Sequence, residues 1–171
     1  PPQQASFGTV EELATNCQRS DSFKNNTYYA VSSFKAKGNR KQTNVAFTKA
    51  LWIDVDCGKD KPYLSKKEGL AALLKFLLVT KLPSPMIVDS GNGLHVYWIL
   101  DKELPPEEWQ PLAESLKQAC VTHDFEVDPV PTADSARVLR PAGTTNPKGG
   151  NKVVVLREGD IHTAQTLQNI L

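Results

Sequence analysis

The pattern of apolar and polar positions along the chain predicts a sheet with helices packed on it. Six runs are continuously apolar or rich in aromatic and β-branched residues, as strands are. They are residues 27–34, 45–56, 86–89, 94–100, 136–140 and 152–157. The third and fourth runs are joined by Ser90-Gly91-Asn92-Gly93, which indicates a hairpin because glycine and asparagine tolerate positive φ angles.

Helical periodicity marks two long segments. The first covers residues 65–81, where Ser65 and Glu68 are spaced to form a capping box. Its apolar face is expected to contain Leu70, Leu73, Leu74, Leu77 and Leu78. The second begins at Pro105-Pro106, and its buried face is expected to contain Trp109, Leu112, Ala113, Leu116 and Cys120. A weakly helical patch at residues 10–17 and a terminal helix after Thr163 complete an α+β fold with a mainly antiparallel sheet.

Length and composition favour one domain covering residues 1–171. The chain is 40% hydrophobic and 23% charged, with a polar segment at 1–26 and a core at 27–157. Because no apolar run approaches the roughly 20 residues of a membrane span, no membrane partner is expected. The chain begins without Met, so we expect a fragment of a longer protein. Its cysteines are odd in number and widely spaced, which favours a reducing, cytoplasmic setting and no zinc module.

The net charge of +1 hides an uneven distribution. Residues 1–50 carry seven Lys or Arg against three acids, and residues 135–157 carry five cations and no acid. Residues 101–128 carry eight acids and two lysines, which is typical of an ordinary solvated surface. Basic segments on either side of an acidic pocket would suit a protein that holds a polyanion near metal-binding carboxylates.

Asp54 and Asp56 end the second predicted strand. Residues two apart on a strand point to the same face, so both carboxylates would reach into one space. Their repulsion and lost hydration are costly unless a cation lies between them, and Mg²⁺ or Mn²⁺ prefers oxygen ligands. The alternative is a solvated turn that leads to Gly58, but the apolar Leu51-Trp52-Ile53 before the acids favours a metal site.

Residues 90–95, Ser-Gly-Asn-Gly-Leu-His, form the second candidate element. Ser90, Gly91, Asn92 and Gly93 could bring backbone N–H groups close to a phosphate, and His95 would face the same side as Tyr97. The alternative is a tight hairpin with a structurally satisfied histidine.

Residues 128–148 contain the third candidate group. Asp128 could supply another metal ligand, and Asn146 and Lys148 lie in a loop without acids. Arg137 and Arg140 are three residues apart and carry forked donors suited to phosphate. A surface loop with scattered charge is the alternative. Asp134 is expected to pair with Arg137 or to cap a turn rather than to bind metal.

A basic run near Tyr28 and Tyr29 could track the phosphates of a nucleic-acid strand, with aromatic stacking nearby. A solvated loop is the alternative. The run consists of Lys35, Lys37, Arg40 and Lys41.

Together these stretches resemble the archaeo-eukaryotic primase (AEP) superfamily, in particular the primase–polymerase domains of phage and plasmid replication proteins. Leu51-Trp52-Ile53-Asp54-Val55-Asp56 resembles the first motif of that family, residues 90–95 resemble the second, and Val127-Asp128-Pro129 resembles the third. Residues 137–148 are similar to the family pattern Arg-x-x-Arg-x-x-Gly-Thr-x-Asn-x-Lys. The resemblance covers roughly residues 28–152.

The resemblance implies an RRM-like catalytic sheet, a small N-terminal α/β lobe and a place in a larger replication protein. It implies a DNA primase or polymerase that adds nucleotides with two Mg²⁺ or Mn²⁺ ions. The metal ligands would be Asp54, Asp56 and Asp128, and His95 would contact the phosphates of the incoming nucleotide. Implied partners are a single-stranded DNA template, a primer strand and nucleoside triphosphates, with a helicase in the same or another chain as a further candidate.

Two other functions are compatible with parts of this pattern. A metal-dependent endonuclease of the replication-initiator type would usually carry a His-x-His pair, whereas His95 is followed by Val96 and Tyr97. A catalytically silent nucleic-acid-binding module could keep the same fold without the reaction.

Overall fold

The computed structural model describes residues 3–171. Its helices are α1 (Val10–Ser22), α2 (Lys66–Thr80), α3 (Pro106–Thr122), α4 (Pro129–Thr132) and α5 (Ala164–Gln168). Its strands are β1 (Tyr29–Ala30), β2 (Ser32–Phe34), β3 (Val45–Asp56), β4 (Met86–Asp89), β5 (Gly93–Leu104), β6 (Val138–Leu139), β7 (Thr145–Asn146), β8 (Asn151–Lys152), β9 (Val154–Arg157) and β10 (Ile161–His162). No helix among residues 3–171 is long and apolar enough to cross a membrane.

The main sheet has the strand order β2-β3-β5-β4-β9, and all of these neighbours are antiparallel. β10 adds a short parallel pairing to β5 at Ile99 and Leu100. Two small ladders, β1–β6 and β7–β8, lie outside this sheet. The predicted α+β class with a mainly antiparallel sheet is confirmed.

The core is organised around the two long central strands and three tryptophans. Trp52, Trp98 and Trp109 have no exposed surface, and the rings of Trp52 and Trp109 stack with centroids 4.9 Å apart. The indole N–H of Trp52 donates to the Pro131 carbonyl at 2.8 Å, and that of Trp109 donates to the Ala50 carbonyl at 2.8 Å. Because each buried indole donor is satisfied, these rings fix β3 against α3 and α4 at little polar cost.

Helix α2 begins where the sequence predicts, but its buried face is narrower. The Ser65 hydroxyl accepts the Glu68 N–H at 3.3 Å, and the Glu68 carboxylate accepts from Leu64, one residue before the cap. Leu74 and Leu78 are 51% and 68% exposed, so their assignment to the core face was wrong. The helix meets the core through Gly69, Leu73 and Phe76, and the five-leucine stripe is wider than that contact. The five residues predicted for the buried face of α3 are all buried.

The prediction of one strand over residues 27–34 was wrong. The chain breaks at Val31, so that β1 pairs with β6 and β2 pairs with β3. The Val31 N–H donates to the Arg137 carbonyl at 3.2 Å, where the chain passes from the small ladder to the main sheet. This crossing brings residues 27–31 beside the segment that carries Arg137.

The N-terminal polar segment packs on the core. Helix α1 extends to Ser22, beyond the predicted patch, and near its end Asp21 accepts the Thr145 backbone N–H at 2.6 Å. Lys152 Nζ lies 3.8 Å from the same carboxylate. Residues 145–152, which we call the basic hairpin, are therefore anchored to α1.

Candidate active site

A cleft of about 570 Å³ opens where β3 ends and the β4–β5 turn begins. Ten residues predicted from the sequence line it, on β3, the β4–β5 hairpin, the β6 segment and the basic hairpin. They are Asp54, Asp56, Ser90, Asn92, Gly93, His95, Arg137, Arg140, Asn146 and Lys148. The fold therefore brings together groups that are up to 94 positions apart in the sequence.

Asp54 lies at the centre of this arrangement. It pairs with His95 across the β3–β5 ladder, and its Oδ1 lies 3.9 Å from His95 Nε2. Its Oδ2 lies 3.8 Å from Arg137 Nη2. Asp54 thus has a histidine on one oxygen and a guanidinium near the other, and neither contact is short enough to be a tight ion pair.

Burial and neighbouring acids raise the pKa of the Asp54 carboxyl from 3.8 to about 6. Loss of hydration is the largest cause, and the charges of Asp56 and Asp128 act in the same direction. Arg137 and Lys61 oppose the increase without cancelling it. Ionising Asp54 in the metal-free protein is therefore unfavourable, first because the carboxyl is buried and second because other acids lie near it.

Asp56 lies two residues on and carries an ion pair that the sequence reasoning missed. Lys61 Nζ lies 2.7 Å from Asp56 Oδ2, and both side chains are partly exposed. Lys61 follows the loop that begins at Gly58, whose N–H donates to the Tyr63 carbonyl at 2.8 Å. Lys59 and Lys61 both line the cleft, so this loop adds cations beside the acids.

Asp128 is adjacent to Asp54 through the main chain but does not line the cleft. Its backbone N–H donates to the Asp54 carbonyl at 3.2 Å, and its carboxylate accepts the Val130 N–H at 3.1 Å as the cap of α4. Among residues 3–171, no three Asp, Glu, His or Cys side chains lie close enough to enclose a metal ion.

The β4–β5 turn is held open towards the cleft by specific contacts. Gly91 has φ +95°, and a Cβ there would lie 2.6 Å from the Asn146 side chain. Its N–H donates to Asp89 Oδ1 at 2.8 Å, so it is not free for an anion, and Gly91 does not line the cleft. A Cβ on Gly93 would overlap the Val55 carbonyl oxygen. Both glycines therefore allow close packing, and Gly93 also lines the cleft together with Ser90 and Asn92.

His95 is buried and neutral at physiological pH. Burial and the charges of Arg140 and Arg137 lower its pKa to about 4, against an opposing effect of Asp56. Its ring meets Tyr97 edge to face with centroids 6.2 Å apart, as expected from their alternation on the strand.

Arg140 also lines the cleft and is held there by contacts with residues near the N-terminus. Its guanidinium lies 4.4 Å from the centre of the Tyr28 ring, and Nη1 donates to Asn26 Oδ1 at 2.5 Å. Arg137 Nε is buried without a hydrogen-bond partner among the described residues. An unpartnered buried guanidinium donor beside a cleft is costly unless a ligand completes it.

The basic hairpin reaches the cleft through Asn146 and Lys148. Asn146 Nδ2 donates to the Ser90 carbonyl at 3.0 Å, and its Oδ1 accepts the Lys148 N–H at 3.1 Å. This buried amide therefore ties the β4–β5 turn to the basic hairpin and aims the Lys148 segment at the same space.

Lys35, Lys37, Arg40 and Lys41 do not line the cleft. They are exposed, and Arg40 donates to the Ala136 carbonyl at 2.5 Å, just before Arg137. Asp134 caps a turn by accepting the Ala136 N–H at 3.0 Å, as the sequence indicates. The basic run is thus near the arginine segment but outside the cleft.

No family model and no curated protein sequence matches the chain. Among solved structures, it is similar to the AEP domain of the primase–polymerase of cyanophage S-2L. That match has a TM-score of 0.69 at 16% identity, over 96% of this chain and 85% of that one. The chain has an AEP-type primase–polymerase fold.

Two structures of primase RepB′ match the same AEP fold at 16% identity. The catalytic domain in complex with initiator DNA has a TM-score of 0.56, over 94% of this chain and 73% of that one. The other has a TM-score of 0.58 over 94% of this chain, which spans 50% of that one. These likenesses confirm the fold expected from the motifs.

Four residues of the AEP-fold cleft or its support were missed from the sequence. Asn26 ends the segment that sequence composition sets apart as polar, Tyr28 lies in the run predicted as a strand over residues 27–34, and Lys59 and Lys61 lie in an ordinary charged loop. The only sequence signal was proximity: Lys59 and Lys61 follow Asp56 by three and five residues.

Proposed function

We propose that this chain is a template-directed nucleotidyltransferase, a DNA primase or polymerase. The observation that carries the proposal is one cleft that is lined both by two aspartates from the end of β3 and by Arg137, Arg140 and Lys148. Acids suited to divalent cations and donors suited to a triphosphate are the two requirements of two-metal nucleotidyl transfer. The AEP-type fold supports the same conclusion.

The aspartates that line the cleft would hold Mg²⁺ or Mn²⁺. Carboxylate oxygens are the donors that these ions prefer, and burial together with the neighbouring acids makes the ionised Asp54 costly unless a cation lies beside it. Asp54 and Asp56 would be the ligands from this chain, and Asp128, whose carboxylate caps α4, would add negative charge beside them rather than line the cleft. When bound, the metal ions would activate a primer 3′-hydroxyl and neutralise the triphosphate.

The cationic residues that line the cleft, together with His95, would bind and orient the triphosphate. Arg137 has an unsatisfied Nε, and Arg140 is held in place by Asn26 and Tyr28. His95, which is neutral, would donate a hydrogen bond to a phosphate oxygen. Fixed donors of this kind contribute by placement and charge stabilisation rather than by covalent chemistry.

Nucleic acid would approach from outside the cleft. The basic run of residues 35–41 is exposed and is linked to the arginine segment by the Arg40 contact, which would suit phosphates of a template strand. Single-stranded DNA, a primer and nucleoside triphosphates are the proposed partners. One of the structures with this fold is a primase in complex with initiator DNA.

The test is incorporation of labelled nucleotides on a single-stranded template, with and without a primer, in Mg²⁺ or Mn²⁺. Asp54→Ala and Asp56→Ala should each lower incorporation by at least about 10³-fold, because metal placement contributes several kcal/mol to the transition state. Asp101→Ala, an exposed acid at the far end of β5, is the matched control and should retain full activity.

Full activity in either cleft variant would refute the metal assignment. DNA binding by the wild-type chain without any incorporation would favour a silent binding module. Strand cleavage without added nucleotides would favour the endonuclease.

A further inference from the structure

Tyr97 is a buried polar residue that the proposed reaction does not use. It lies on β5 two positions after His95, is only 6% exposed and does not line the cleft. Its hydroxyl has two neighbours, Tyr29 Oη at 3.4 Å and His95 Nδ1 at 3.4 Å. Burial of a phenol hydroxyl costs free energy of folding unless the hydroxyl forms hydrogen bonds, so these two contacts matter.

The protons in the series of hydrogen bonds from Tyr29 through Tyr97 to His95 can be arranged in two ways. In the first, Tyr29 donates to Tyr97, Tyr97 donates to His95 Nδ1, and the imidazole proton is on Nε2. In the second, all donors reverse, His95 carries its proton on Nδ1, and Nε2 presents a lone pair.

The neighbour of Nε2 decides between them. Asp54 Oδ1 lies 3.9 Å from Nε2, so a lone pair there would face a carboxylate, whereas an N–H would be attracted to it. The favoured arrangement is therefore the one in which Tyr29 donates to Tyr97 and Tyr97 donates to His95 Nδ1. The imidazole N–H is then on Nε2 and points into the cleft beside Asp54. At functional histidines, a hydrogen bond at one ring nitrogen commonly decides which nitrogen carries the proton.

We propose that Tyr97 is a positioning residue that, together with Asp54, holds His95 as the Nε2–H tautomer, with its N–H directed into the cleft, where a phosphate oxygen would bind. The nature of the ligand rests on the proposed function, but the tautomer does not. Tyr97 keeps its own proton because burial and Tyr29 raise its pKa well above 10. The donor is therefore fixed before any nucleotide arrives.

The tautomer can be measured directly. The chain has only three histidines, so ¹⁵N-histidine labelling and two-bond ¹H–¹⁵N spectra at neutral pH resolve each ring, with His123→Gln and His162→Gln for assignment. We expect His95 to show a protonated Nε2 and an unprotonated, hydrogen-bonded Nδ1. A protonated Nδ1 in the wild-type chain would overturn the proposal without the need for any variant.

Tyr97→Phe removes the donor to Nδ1 and leaves only the Asp54 contact to favour Nε2–H, so the hydrogen-bond shift of Nδ1 should be lost and the two His95 tautomers should begin to mix. Tyr63→Phe is the matched control: it deletes a hydroxyl that accepts the Glu126 N–H at 3.1 Å and should leave the His95 spectrum unchanged. A purely structural role for Tyr97 would lower thermal stability without altering the tautomer. An unchanged His95 spectrum in a folded Tyr97→Phe protein would therefore overturn the proposal.

Kinetics provide a second readout. Loss of one prearranged hydrogen bond should raise the KM for nucleotide about 3- to 10-fold in Tyr97→Phe, with kcat affected less and Mn²⁺ affinity unchanged. An unchanged KM together with a mixed tautomer would show that His95 does not bind the nucleotide. Absence of incorporation in the wild-type chain would refute the proposed function, while the spectrum would still decide the tautomer.

Discussion

Asp54→Asn should stabilise the metal-free protein, and more strongly as the pH rises. Burial and the nearby charges of Asp56 and Asp128 disfavour the ionised Asp54 carboxylate in the folded state. Its pKa is therefore higher in the folded chain than in the unfolded chain, so the folded state binds more protons between these values. Stability then falls as the pH increases through this window, from about 3.8 to about 6.

The size of the effect follows from the difference between the two pKa values. A change from 3.8 to about 6 corresponds to about 3 kcal/mol at about 1.36 kcal/mol per pKa unit. The cost is complete above about pH 7 and falls below about 1 kcal/mol near pH 4. For a chain of this length, about 3 kcal/mol corresponds to an increase in Tm of about 6–12 °C.

The assay is urea or thermal unfolding of the wild-type and Asp54→Asn proteins at about pH 4 and about pH 7.5, in chelator. Asp101→Asn removes an exposed carboxylate and should change little at either pH. Added Mn²⁺ should stabilise the wild-type protein more than Asp54→Asn, because binding to the folded state adds to its stability. A stability difference that does not vary with pH, or a less stable Asp54→Asn at neutral pH, would refute the reasoning.

Three other variants test separate parts of the cleft. Gly93→Ala should destabilise the fold by about 1–3 kcal/mol or more, measured by urea unfolding, because its Cβ would collide with the Val55 carbonyl; wild-type stability would contradict this close approach. Lys61→Met should tighten Mn²⁺ binding in titration calorimetry about 3- to 10-fold, since Lys61 competes for Asp56; weaker binding would show that the lysine helps the metal. Asp21→Ala should raise the KM for nucleotide by several-fold without altering Mn²⁺ affinity, because it releases the basic hairpin; an unchanged KM would mean that the hairpin needs no anchor.

The elements that the sequence predicted well are those in which local pattern and tertiary contact agree. β3 runs over the predicted residues because its apolar side chains are buried on both faces, and the hairpin follows from Ser90-Gly91-Asn92-Gly93. The residues of the cleft were predicted from the order and spacing of aspartates, a glycine-containing turn with a histidine, and a group of cationic residues along the sequence. Ten of them do line one space.

What the sequence could not supply depends on contacts between distant segments. Leu74 and Leu78 fit the helical period as well as Leu73 does, and only the width of the sheet contact exposes them. The division of residues 27–34 into two strands results from the Val31 contact with Arg137. Nothing local indicates that Asp128 caps α4 rather than facing the cleft, because both roles use the same carboxylate.

The contacts of Asp21 and Asn26 have a practical consequence for trimming the protein. Sequence composition would place the start of a minimal core at residue 27, after the polar segment. That cut would remove Asn26, which accepts from Arg140, and Asp21, which accepts from Thr145. A shortened chain of this kind would keep the central sheet and the aspartates of β3 but would lose the restraints on Arg140 and on the basic hairpin, so an inactive truncation would say little about the chemistry of the intact chain.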